Sequence, residues 1–372
     1  MTARLRVAFI LPHLRPGGAE RVVVNYLRAL DRDPFEPFLF LRRREGAFLE
    51  LLPADVPVFD LANARARRLP NRIARALQTH RIDLAYSATD AVNLALLASR
   101  WWGAKGTRRI ASLHTNPEAW LAEAKHPRLR LWLMRRLYPK AAAVAVPTQA
   151  IADELKALVP TARVEVLPNP LVENTSTTSV NRQNRIVAAG RLVETKGFDI
   201  LIDAADNLRR RGLQLELAIH GEGPLRDVLS RQVEELGLAG IVSLPGHADT
   251  PRMFEGASLC VVPSRREGFG NVVVEAMAAG VPVLAAACPG PAALIEHGRN
   301  GFLVEPGSAA ALADALASLL EDPQRRASVV PAGHGTARRF EVAAATRAFE
   351  NMILRVGNLA PADHPDPGQP RR

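Results

Sequence analysis

The chain has 372 residues, 48% of them hydrophobic and 23% charged, which excludes collagen-like, largely disordered and disulfide-rich proteins. Its net charge is +10, and residues 1–180 carry a net charge of +11, with 27 Lys and Arg against 16 Asp and Glu. Such a field attracts nucleic acid, anionic lipid or phosphorylated substrates, although solvated arginine-rich faces give the same composition without a partner.

Length and cysteine content narrow the class of protein further. A chain of this length is expected to form about two domains. Cys260 and Cys288 do not form a Cys-x-x-Cys pair, so we expect neither a disulfide framework nor a structural zinc site, and a reducing compartment fits. No apolar run reaches the roughly 20 residues of a membrane-spanning helix. The amino-terminal run lacks a signal-peptide cleavage site and is expected to be a buried strand.

In the first half, strand-like and helix-like segments alternate along the chain. Short β-branched or aliphatic runs predict strands at residues 5–11, 37–41, 83–86, 110–113, 142–146 and 164–167. Helical patterns between them predict helices at residues 19–30, 71–78, 91–101, 129–137 and 149–158. This alternation predicts a parallel sheet with helices on both faces.

The alternation resumes after a polar stretch at residues 173–185, which has the composition of a linker. Strands are predicted at residues 186–189, 215–220, 241–244, 259–262, 283–286 and 302–304. Helices are predicted at residues 198–210, 224–236, 271–279, 291–296, 308–321 and 340–356. Ser308 is the expected N-cap of one helix, and Asp322 with Pro323 is its expected stop.

The predicted fold is α/β, with two doubly wound, Rossmann-like domains facing across a cleft. Residues 1–172 form the first domain, residues 173–185 the linker and residues 186–339 the second domain. A helix at residues 340–357 is expected to cross back to the first domain, and residues 358–372 are expected to be a disordered tail. Ligands of such sheets bind beyond the carboxyl ends of strands, so motifs that follow strands are the candidate site.

The segment AAGRLVETKGF at residues 188–198 joins a predicted strand to a helix. Gly190 ends the strand, and Arg191 and Lys196 follow it, five residues apart. Two cations beside a helix amino terminus form an anion site, because Arg presents a planar fork and Lys a point charge to a diphosphate. The alternatives are that both side chains are solvated or that Asp199 neutralises one of them.

A second candidate loop follows the strand that ends at Val262. Its glycines permit close approach to a ligand, and the amino terminus of the following helix favours phosphate. The third glycine of the dinucleotide fingerprint and the Walker lysine are both missing, so this is a phosphate cradle of another type. Two carboxylates flank it, either to bind sugar hydroxyls and a ribose diol or as ordinary helix-entry and surface charges. The residues concerned are Glu267, Gly268, Phe269, Gly270, Asn271 and Glu275.

Two further features follow strands of the first domain. Gly17 and Gly18 begin a predicted helix and leave backbone N–H groups free for a ligand, unless they form only a tight turn. His114 follows the strand at residues 110–113, where it contacts a ligand or has a structural role. The histidines near strand ends lack metal-ligand spacing, and no nucleophile motif is present.

Basic and aromatic residues alternate in one part of the first domain. Trp, Leu and Met alternate with Arg on a predicted helical segment at residues 125–138, and Trp101 and Trp102 lie in a second basic cluster at residues 100–109. Such a helix can lie on an anionic bilayer, where each nearby cation contributes about 1 kcal/mol. The alternative is a core helix with an arginine-rich outer face.

Together these motifs resemble those of the family 4 retaining glycosyltransferases (GT4), which have the GT-B fold. The resemblance covers residues 5–355. The Glu-x7-Glu motif of the family matches Glu267 and Glu275, its Gly-Arg-Leu…Lys-Gly element matches residues 190–197, and its Gly-Gly-Ala-Glu loop matches residues 17–20. The sequences VLPNP at residues 166–170 and GEGPLR at residues 221–226 also look like the family.

The resemblance implies a role for each motif. Arg191 and Lys196 would bind the donor diphosphate, and Glu275 would bind the ribose. The transferred sugar would lie beside His114. The expected catalytic residues are His114, Arg191, Lys196 and Glu267. The expected donor-binding residues are Gly17, Gly18, Gly190, Arg191, Lys196, Gly268, Phe269, Gly270, Asn271 and Glu275. Arginine replaces the usual aromatic residue between Ser264 and Glu267, and Gly270 replaces a common proline, so the finer donor specificity is left open.

The resemblance implies retaining transfer of a sugar from a nucleotide diphosphate donor, with a UDP-sugar favoured. The acceptor would be a glycan or lipid-linked glycan of bacterial surface polysaccharide or lipopolysaccharide synthesis. Cations and helix amino termini would stabilise the leaving diphosphate, so no metal or other cofactor is expected.

Further expectations concern partners and location. We expect an anionic membrane surface as a partner, no nucleic acid, and a cytoplasmic location, peripheral on the inner face of the membrane. The alternatives are a non-catalytic or epimerase-type sugar-nucleotide-binding protein of the GT-B fold, and a basic nucleic-acid-binding protein, for which no recognition motif is present.

Overall fold

The computed structural model describes residues 4–122, 124–173, 184–248 and 250–358. The chain forms two compact units: the first contains residues 1–147, 152–168 and those from Ala345 onward, and the second contains residues 148–151 and 169–344. Residues 174–183 of the predicted linker and the predicted tail beyond residue 358 lie outside the described residues.

The first unit contains a parallel sheet of seven strands in the order β3-β2-β1-β4-β5-β6-β7. These strands are β1 (Leu5–Leu11), β2 (Phe35–Leu41), β3 (Val58–Asp60), β4 (Leu84–Ser87), β5 (Arg108–Ser112), β6 (Ala143–Val146) and β7 (Val164–Val166). The central strand β1 is an almost continuous apolar run, as expected for a parallel strand with both faces covered.

The second unit contains a parallel sheet of six strands in the order β10-β9-β8-β11-β12-β13. These strands are β8 (Arg185–Ala189), β9 (Glu216–His220), β10 (Val242–Gly246), β11 (Leu259–Val262), β12 (Val283–Ala286) and β13 (Phe302–Val304). The α/β class and the two Rossmann-like sheets confirm the predicted fold class.

The helices follow the strands in the alternation that the sequence predicts. They are α1 (Gly18–Ala29), α2 (Leu69–Thr79), α3 (Asp90–Ala98), α4 (Pro117–Ala122), α5 (Pro127–Leu137), α6 (Gln149–Leu158), α7 (Phe198–Arg210), α8 (Arg226–Glu235), α9 (Thr250–Phe254), α10 (Asn271–Ala278), α11 (Pro289–Leu294), α12 (Ala309–Glu321), α13 (Pro323–Ser328), α14 (Val330–Ala337) and α15 (Val342–Asn358). Short 3-10 helices include Ser99–Trp101, Tyr138–Lys140 and Glu194–Lys196. None of the described helices is long and apolar enough to cross a membrane.

Both faces of the second sheet are covered by helices. On β8, Ile186 belongs to a buried cluster with Leu201 of α7 and Leu316 of α12. The next residue, Val187, points into a second buried cluster that contains Val274 of α10. Because side chains alternate across a strand, this arrangement buries both faces and leaves the carboxyl edge for ligands.

The last helix packs into the core of the first unit. The ring of Phe349 stacks on Tyr26 with centroids 4.3 Å apart, and it meets Tyr86 at 5.2 Å. All three side chains are fully buried, so α15 contributes to the aromatic core of this unit.

Sequence patterns missed the shortest elements. The three-residue strand β3 is at the edge of the sheet, and α4, α9 and α13 have six residues or fewer, too few to show a helical period. The helix α14 has eight residues, but a proline and two glycines obscure its pattern. Ser308 is the N-cap of α12 as predicted, since its Oγ accepts from the Ala311 N–H at 3.1 Å. Asp322 ends that helix and also caps α13, because its Oδ1 accepts from the Arg325 N–H at 2.9 Å.

Candidate functional site

The candidate site of the second unit lies where the strand order reverses. From β8 the chain crosses to β9 and β10 on one side, and it then returns to β11 on the other side of β8. The crevice beyond two such neighbouring strands is the usual ligand site of a doubly wound sheet. The two predicted loops follow β8 and β11, so the fold brings both to this point.

Lys196 and Glu267 form an ion pair between the two loops. Lys196 Nζ donates to Glu267 Oε2, and the two side chains are only 24% and 14% exposed. The lysine stem lies against Gly190, where a Cβ would be in ordinary van der Waals contact with Lys196 Cε at 3.4 Å. The sequence predicted both residues at the site but not that they contact one another.

Glu267 is held by a network of short contacts. Ser264 Oγ donates to Glu267 Oε2 at 3.3 Å, and the Gly290 N–H donates to the Glu267 carbonyl at 3.1 Å. Cys288 Sγ donates to the Ser264 carbonyl at 2.9 Å. Burial, with a further contribution from Glu267, raises the pKa of the Cys288 thiol, which favours the protonated donor form.

Arg265 and Asp199 form a second ion pair beside the first. Arg265 Nη1 and Nη2 donate to the two oxygens of Asp199 at 2.7 and 2.5 Å. This hydrogen bonding lowers the pKa of the Asp199 carboxyl. The alternative that Asp199 neutralises Arg191 or Lys196 is therefore wrong, because Asp199 pairs with Arg265, which lies in a different loop of the sequence.

The glycine loop leads directly into α10. Gly270 precedes the helix with a φ of 94°, a conformation that glycine adopts without strain. The ring of Phe269 is buried and lies 5.2 Å from the ring of Phe340, so this residue offers a ligand its backbone rather than its side chain. Asn271 Oδ1 accepts from the buried Asn169 Nδ2 at 3.3 Å, which links the VLPNP sequence to the start of α10.

The remaining predicted residues of the second unit lie on the same two segments. Arg191 is exposed just after β8 and makes no ion pair among the described residues. Glu275 is half-buried on α10, and Gly268 lies within the glycine loop. A nucleotide diphosphate requires cations, backbone N–H groups and a carboxylate for its ribose, and all three types occur here.

The predicted residues of the first unit lie at the carboxyl ends of its own strands. His114 follows β5, and its Nε2 lies 3.1 Å from Ser112 Oγ. Gly17 is the N-cap residue of α1, and a Cβ there would meet Glu20 Oε2 at 2.3 Å. Glycine at position 17 therefore makes room for the Glu20 carboxylate at the start of the helix.

Several contributing residues were not singled out by the sequence. Ser264, Cys288 and Gly290 support Glu267 through contacts that join separate segments of the chain. Asn169 is the exception, because it lies in a motif that the sequence did single out. The described residues contain no group of three or more His, Cys, Asp or Glu side chains placed to hold a metal ion.

Two family models match consecutive parts of the chain. "Glycosyltransferase Family 4" matches residues 16–173, and "Glycosyl transferases group 1" matches residues 173–335. The GDP-mannose-dependent alpha-(1-6)-phosphatidylinositol monomannoside mannosyltransferase of Mycobacterium tuberculosis is 30% identical over 284 residues, covering 70% of this chain and 73% of that protein. The lipopolysaccharide core biosynthesis glycosyltransferase LpsE of Rhizobium meliloti is 34% identical over 170 residues, covering 45% of this chain and 49% of that protein.

A solved structure is similar over almost the whole chain. Anabaena HepE in complex with UDP-glucose has a TM-score of 0.82 and 26% identity, covering 95% of this chain and 100% of that chain. The chain spans about half the length of the first curated relatives it matches.

The two Rossmann-like sheets and the structural likeness define a protein of the GT-B fold. Within that class, the two family models and the mannosyltransferase relative show that the chain belongs to glycosyltransferase family 4. The family predicted from the sequence motifs is confirmed.

Gly290 provides a test of how tightly the Glu267 loop is supported. A Cβ at Gly290 would lie 2.7 Å from the Phe269 nitrogen and 2.8 Å from the Glu267 carbonyl oxygen. We expect Gly290→Ala to lower the free energy of unfolding by about 1–3 kcal/mol through overpacking, measured by urea unfolding. Gly240→Ala is the matched control, since nothing lies within 4 Å of that position. Equal stability of the two variants would contradict the predicted close packing.

Proposed function

We propose that the protein transfers a sugar from a UDP-sugar to a glycan or lipid-linked acceptor. The observation that carries the proposal is the pairing of Lys196 with Glu267 beside the glycine loop, at the carboxyl edge where the strand order reverses. The choice of UDP is supported by the likeness to HepE, which was solved with UDP-glucose. The acceptor class is supported by the relatives that act in lipopolysaccharide core synthesis and on a phosphatidylinositol mannoside.

Donor binding would exchange the partners of the ion pair. Lys196 would turn from Glu267 to the diphosphate, whose charge is delocalised over several oxygens. Glu267 would then accept hydrogen bonds from sugar hydroxyls, so its carboxylate would not remain unpaired. Arg191 and the amino terminus of α10 would add positive charge around the diphosphate, and Glu275 would accept from the ribose hydroxyls.

The proposed reaction retains the configuration of the anomeric carbon. The bond from that carbon to the diphosphate oxygen breaks, and the acceptor oxygen forms its bond on the same face. The proton of the acceptor hydroxyl passes to an oxygen of the departing diphosphate, so UDP and the glycosylated acceptor are the products. Negative charge grows on the diphosphate during this step, where Lys196 and Arg191 would stabilise it without a metal ion. The roles of His114, Gly17 and Gly18 in sugar and diphosphate contacts stay predictions.

The first prediction concerns the nucleotide. UDP at about 100 times its dissociation constant should stabilise the protein by about 2.7 kcal/mol and raise its melting temperature, with EDTA present. GDP and ADP at the same concentration are the controls. No shift with any nucleotide contradicts the donor site, a shift with GDP alone contradicts the choice of uridine, and a shift that needs added metal contradicts metal-free binding.

The second prediction concerns turnover. Lys196→Ala should lower kcat by roughly 10²–10³, because it removes one charge that stabilises the leaving diphosphate. Glu275→Ala should lose most activity while keeping its fold. Arg299→Ala is the control, since this exposed arginine pairs only with its neighbour Glu296 among the described residues. Wild-type turnover in the first two variants refutes their roles. Release of UDP without an acceptor would instead favour an epimerase-type enzyme, and donor binding without turnover a non-catalytic protein.

We also propose that one surface of the first unit attaches to an anionic membrane. Among the large apolar side chains that are exposed in the first unit, we call four the tryptophan surface: Trp101 (57% exposed), Trp102 (49%), Leu129 (54%) and Trp132 (54%). Lys140 Nζ lies 4.8 Å from the ring centroid of Trp101, so the chain that leaves α5 meets the tryptophan pair. The basic clusters at residues 100–109 and 125–138, which are separate in the sequence, therefore lie close to one another in the structure.

Arg109 holds the tryptophan pair in place from inside the protein. Its guanidinium is buried and donates to Ser99 Oγ at 3.1 Å, the Thr107 carbonyl at 2.7 Å and the Ala104 carbonyl at 3.0 Å. Burial lowers the pKa of Arg109 to about 10, which leaves it charged at neutral pH. Arg109 is therefore a structural residue of the segment and not one of its surface cations.

The chemistry of this surface fits a bilayer interface. Indole rings favour the headgroup region, and each nearby Lys or Arg adds about 1 kcal/mol of attraction to anionic lipid. Arg136 lies 5.7 Å from the ring centroid of Trp132, so cations and indoles are interleaved on α5 as well. An acceptor anchored in lipid would place the substrate at the same membrane.

The third prediction tests this surface with vesicles. The wild type should sediment with vesicles containing anionic lipid, less so at high salt, and only weakly with neutral vesicles. Replacing Trp101 and Trp102 by Ala should abolish most of the binding. Replacing Arg67 and Arg68 by Gln is the control for charge outside the tryptophan surface. No preference for anionic vesicles, or equal losses in both double variants, would refute the assignment.

A further inference from the structure

Besides the Lys196–Glu267 ion pair, four hydrogen bonds join the segment that carries Lys196 to the loop that carries Glu267. We call residues 194–199 the lysine segment and residues 263–267 the glutamate loop. The Arg265 guanidinium donates twice to Asp199 and a third time to the Glu194 carbonyl, at 3.0 Å. The Arg266 N–H donates to the Thr195 carbonyl at 3.2 Å. These contacts act on both sides of Lys196 in the sequence.

The backbones of the two segments also approach closely. Gly197 has a φ of 66°, and a Cβ there would lie 2.3 Å from the Pro263 carbonyl oxygen. The residue after Lys196 is therefore in direct contact with the glutamate loop. The backbone position of Lys196 sets the region that its flexible side chain can reach, so these contacts limit where the ammonium group can lie.

We propose that Arg265 and Asp199 are positioning residues for the donor diphosphate. Their bidentate ion pair holds the backbone of the lysine segment in place while the Lys196 side chain moves from Glu267 to the diphosphate. This inference rests on the proposed function. The Arg265 guanidinium is occupied by Asp199 and Glu194, so its contribution passes through Lys196 and does not require contact with the donor.

The geometry distinguishes this pair from an ordinary surface salt bridge. Isolated exposed pairs contribute little, because solvent screens them and two flexible side chains must be ordered. Here the planar guanidinium of Arg265 donates to both carboxylate oxygens of Asp199 and to the Glu194 carbonyl. These hydrogen bonds join segments that follow different strands. The lowered pKa of Asp199, caused first by this hydrogen bonding, agrees with a carboxylate that stays ionised and paired at neutral pH.

The pair also does not compete with the ligand. Donor binding breaks the Lys196–Glu267 contact, whereas Arg265 and Asp199 remain satisfied by one another. Without the Arg265–Asp199 ion pair, the Lys196 side chain is unchanged, but the lysine segment loses one of the contacts that hold its backbone. Misplacement of the Lys196 ammonium then weakens donor binding and also slows the chemical step, since Lys196 stabilises the leaving diphosphate.

The test measures UDP binding by calorimetry and donor KM and kcat by turnover. Arg265→Ala and Asp199→Ala should each raise the UDP Kd and the donor KM by about tenfold, equal to about 1.4 kcal/mol, and should also lower kcat, though by less than Lys196→Ala does, because the same lysine stabilises the leaving diphosphate. The double variant should resemble either single variant, because the two residues act as one unit. Arg265→Lys should restore binding only in part, since a point charge lacks the fork.

The Lys196→Ala variant is a second background for the test, and it separates a positioning role of Arg265 from a general effect on protein stability. In Lys196→Ala, the further change Arg265→Ala should leave the UDP Kd unchanged, because the residue through which it acts is gone. The matched control is Arg211→Ala, which breaks an exposed Arg–Asp pair with Asp314 in the same unit, at 2.6 Å, and should not change the Kd. Circular dichroism and melting temperature verify folding.

The outcomes separate the two proposals. If the wild type binds no nucleoside diphosphate, the proposed function fails and this inference fails with it. If the wild type binds UDP and Arg265→Ala binds it equally well, only the positioning role is overturned. An additive double variant, or a full effect of Arg265→Ala in the Lys196→Ala background, also overturns that role.

Discussion

The adjacency of β8 and β11 in the second sheet is the constraint on which the candidate site depends. These strands are neighbours although β9 and β10 separate them along the chain. Because all strands are parallel, the loops that leave β8 and β11 emerge at the same edge. Lys196 and Glu267 meet there although they are 71 positions apart. The contacts of Arg265, Gly197 and the glycine loop all follow from this adjacency.

The charges at this edge are largely balanced in the free protein. Lys196 is paired with Glu267 and Arg265 with Asp199, while Arg191 makes no ion pair among the described residues. A half-buried pair is costly to separate unless both partners find new contacts. A ligand with phosphate alone would satisfy Lys196 but leave the Glu267 carboxylate with only the Ser264 hydroxyl, whereas a sugar diphosphate would offer it sugar hydroxyls as well. Under the proposed function, the pair would favour a sugar diphosphate over the diphosphate alone.

The positive charge of the first unit has two structural origins. Its basic composition contains two kinds of arginine: exposed ones that interleave with Trp132 and its neighbours, and the buried Arg109 that orders the segment bearing Trp101 and Trp102. Composition counts both as positive charge. Burial distinguishes the exposed arginines, which can attract anionic lipid, from Arg109, which forms internal hydrogen bonds. The membrane proposal rests on the exposed arginines and the tryptophan surface.

Local patterns in the sequence determined the elements and the family. Strands such as Leu259–Val262 and Val283–Ala286 and the helix Phe198–Arg210 were predicted with the bounds observed, because each is an apolar run of clear period between polar breaks. The glycine loop and the Lys196 motif were found for the same reason, as contiguous signals. Tertiary structure alone decided the partners: Asp199 pairs with Arg265, 66 positions away, and Gly290 supports Glu267. Such contacts depend on the order of strands in the sheet, which no local pattern encodes.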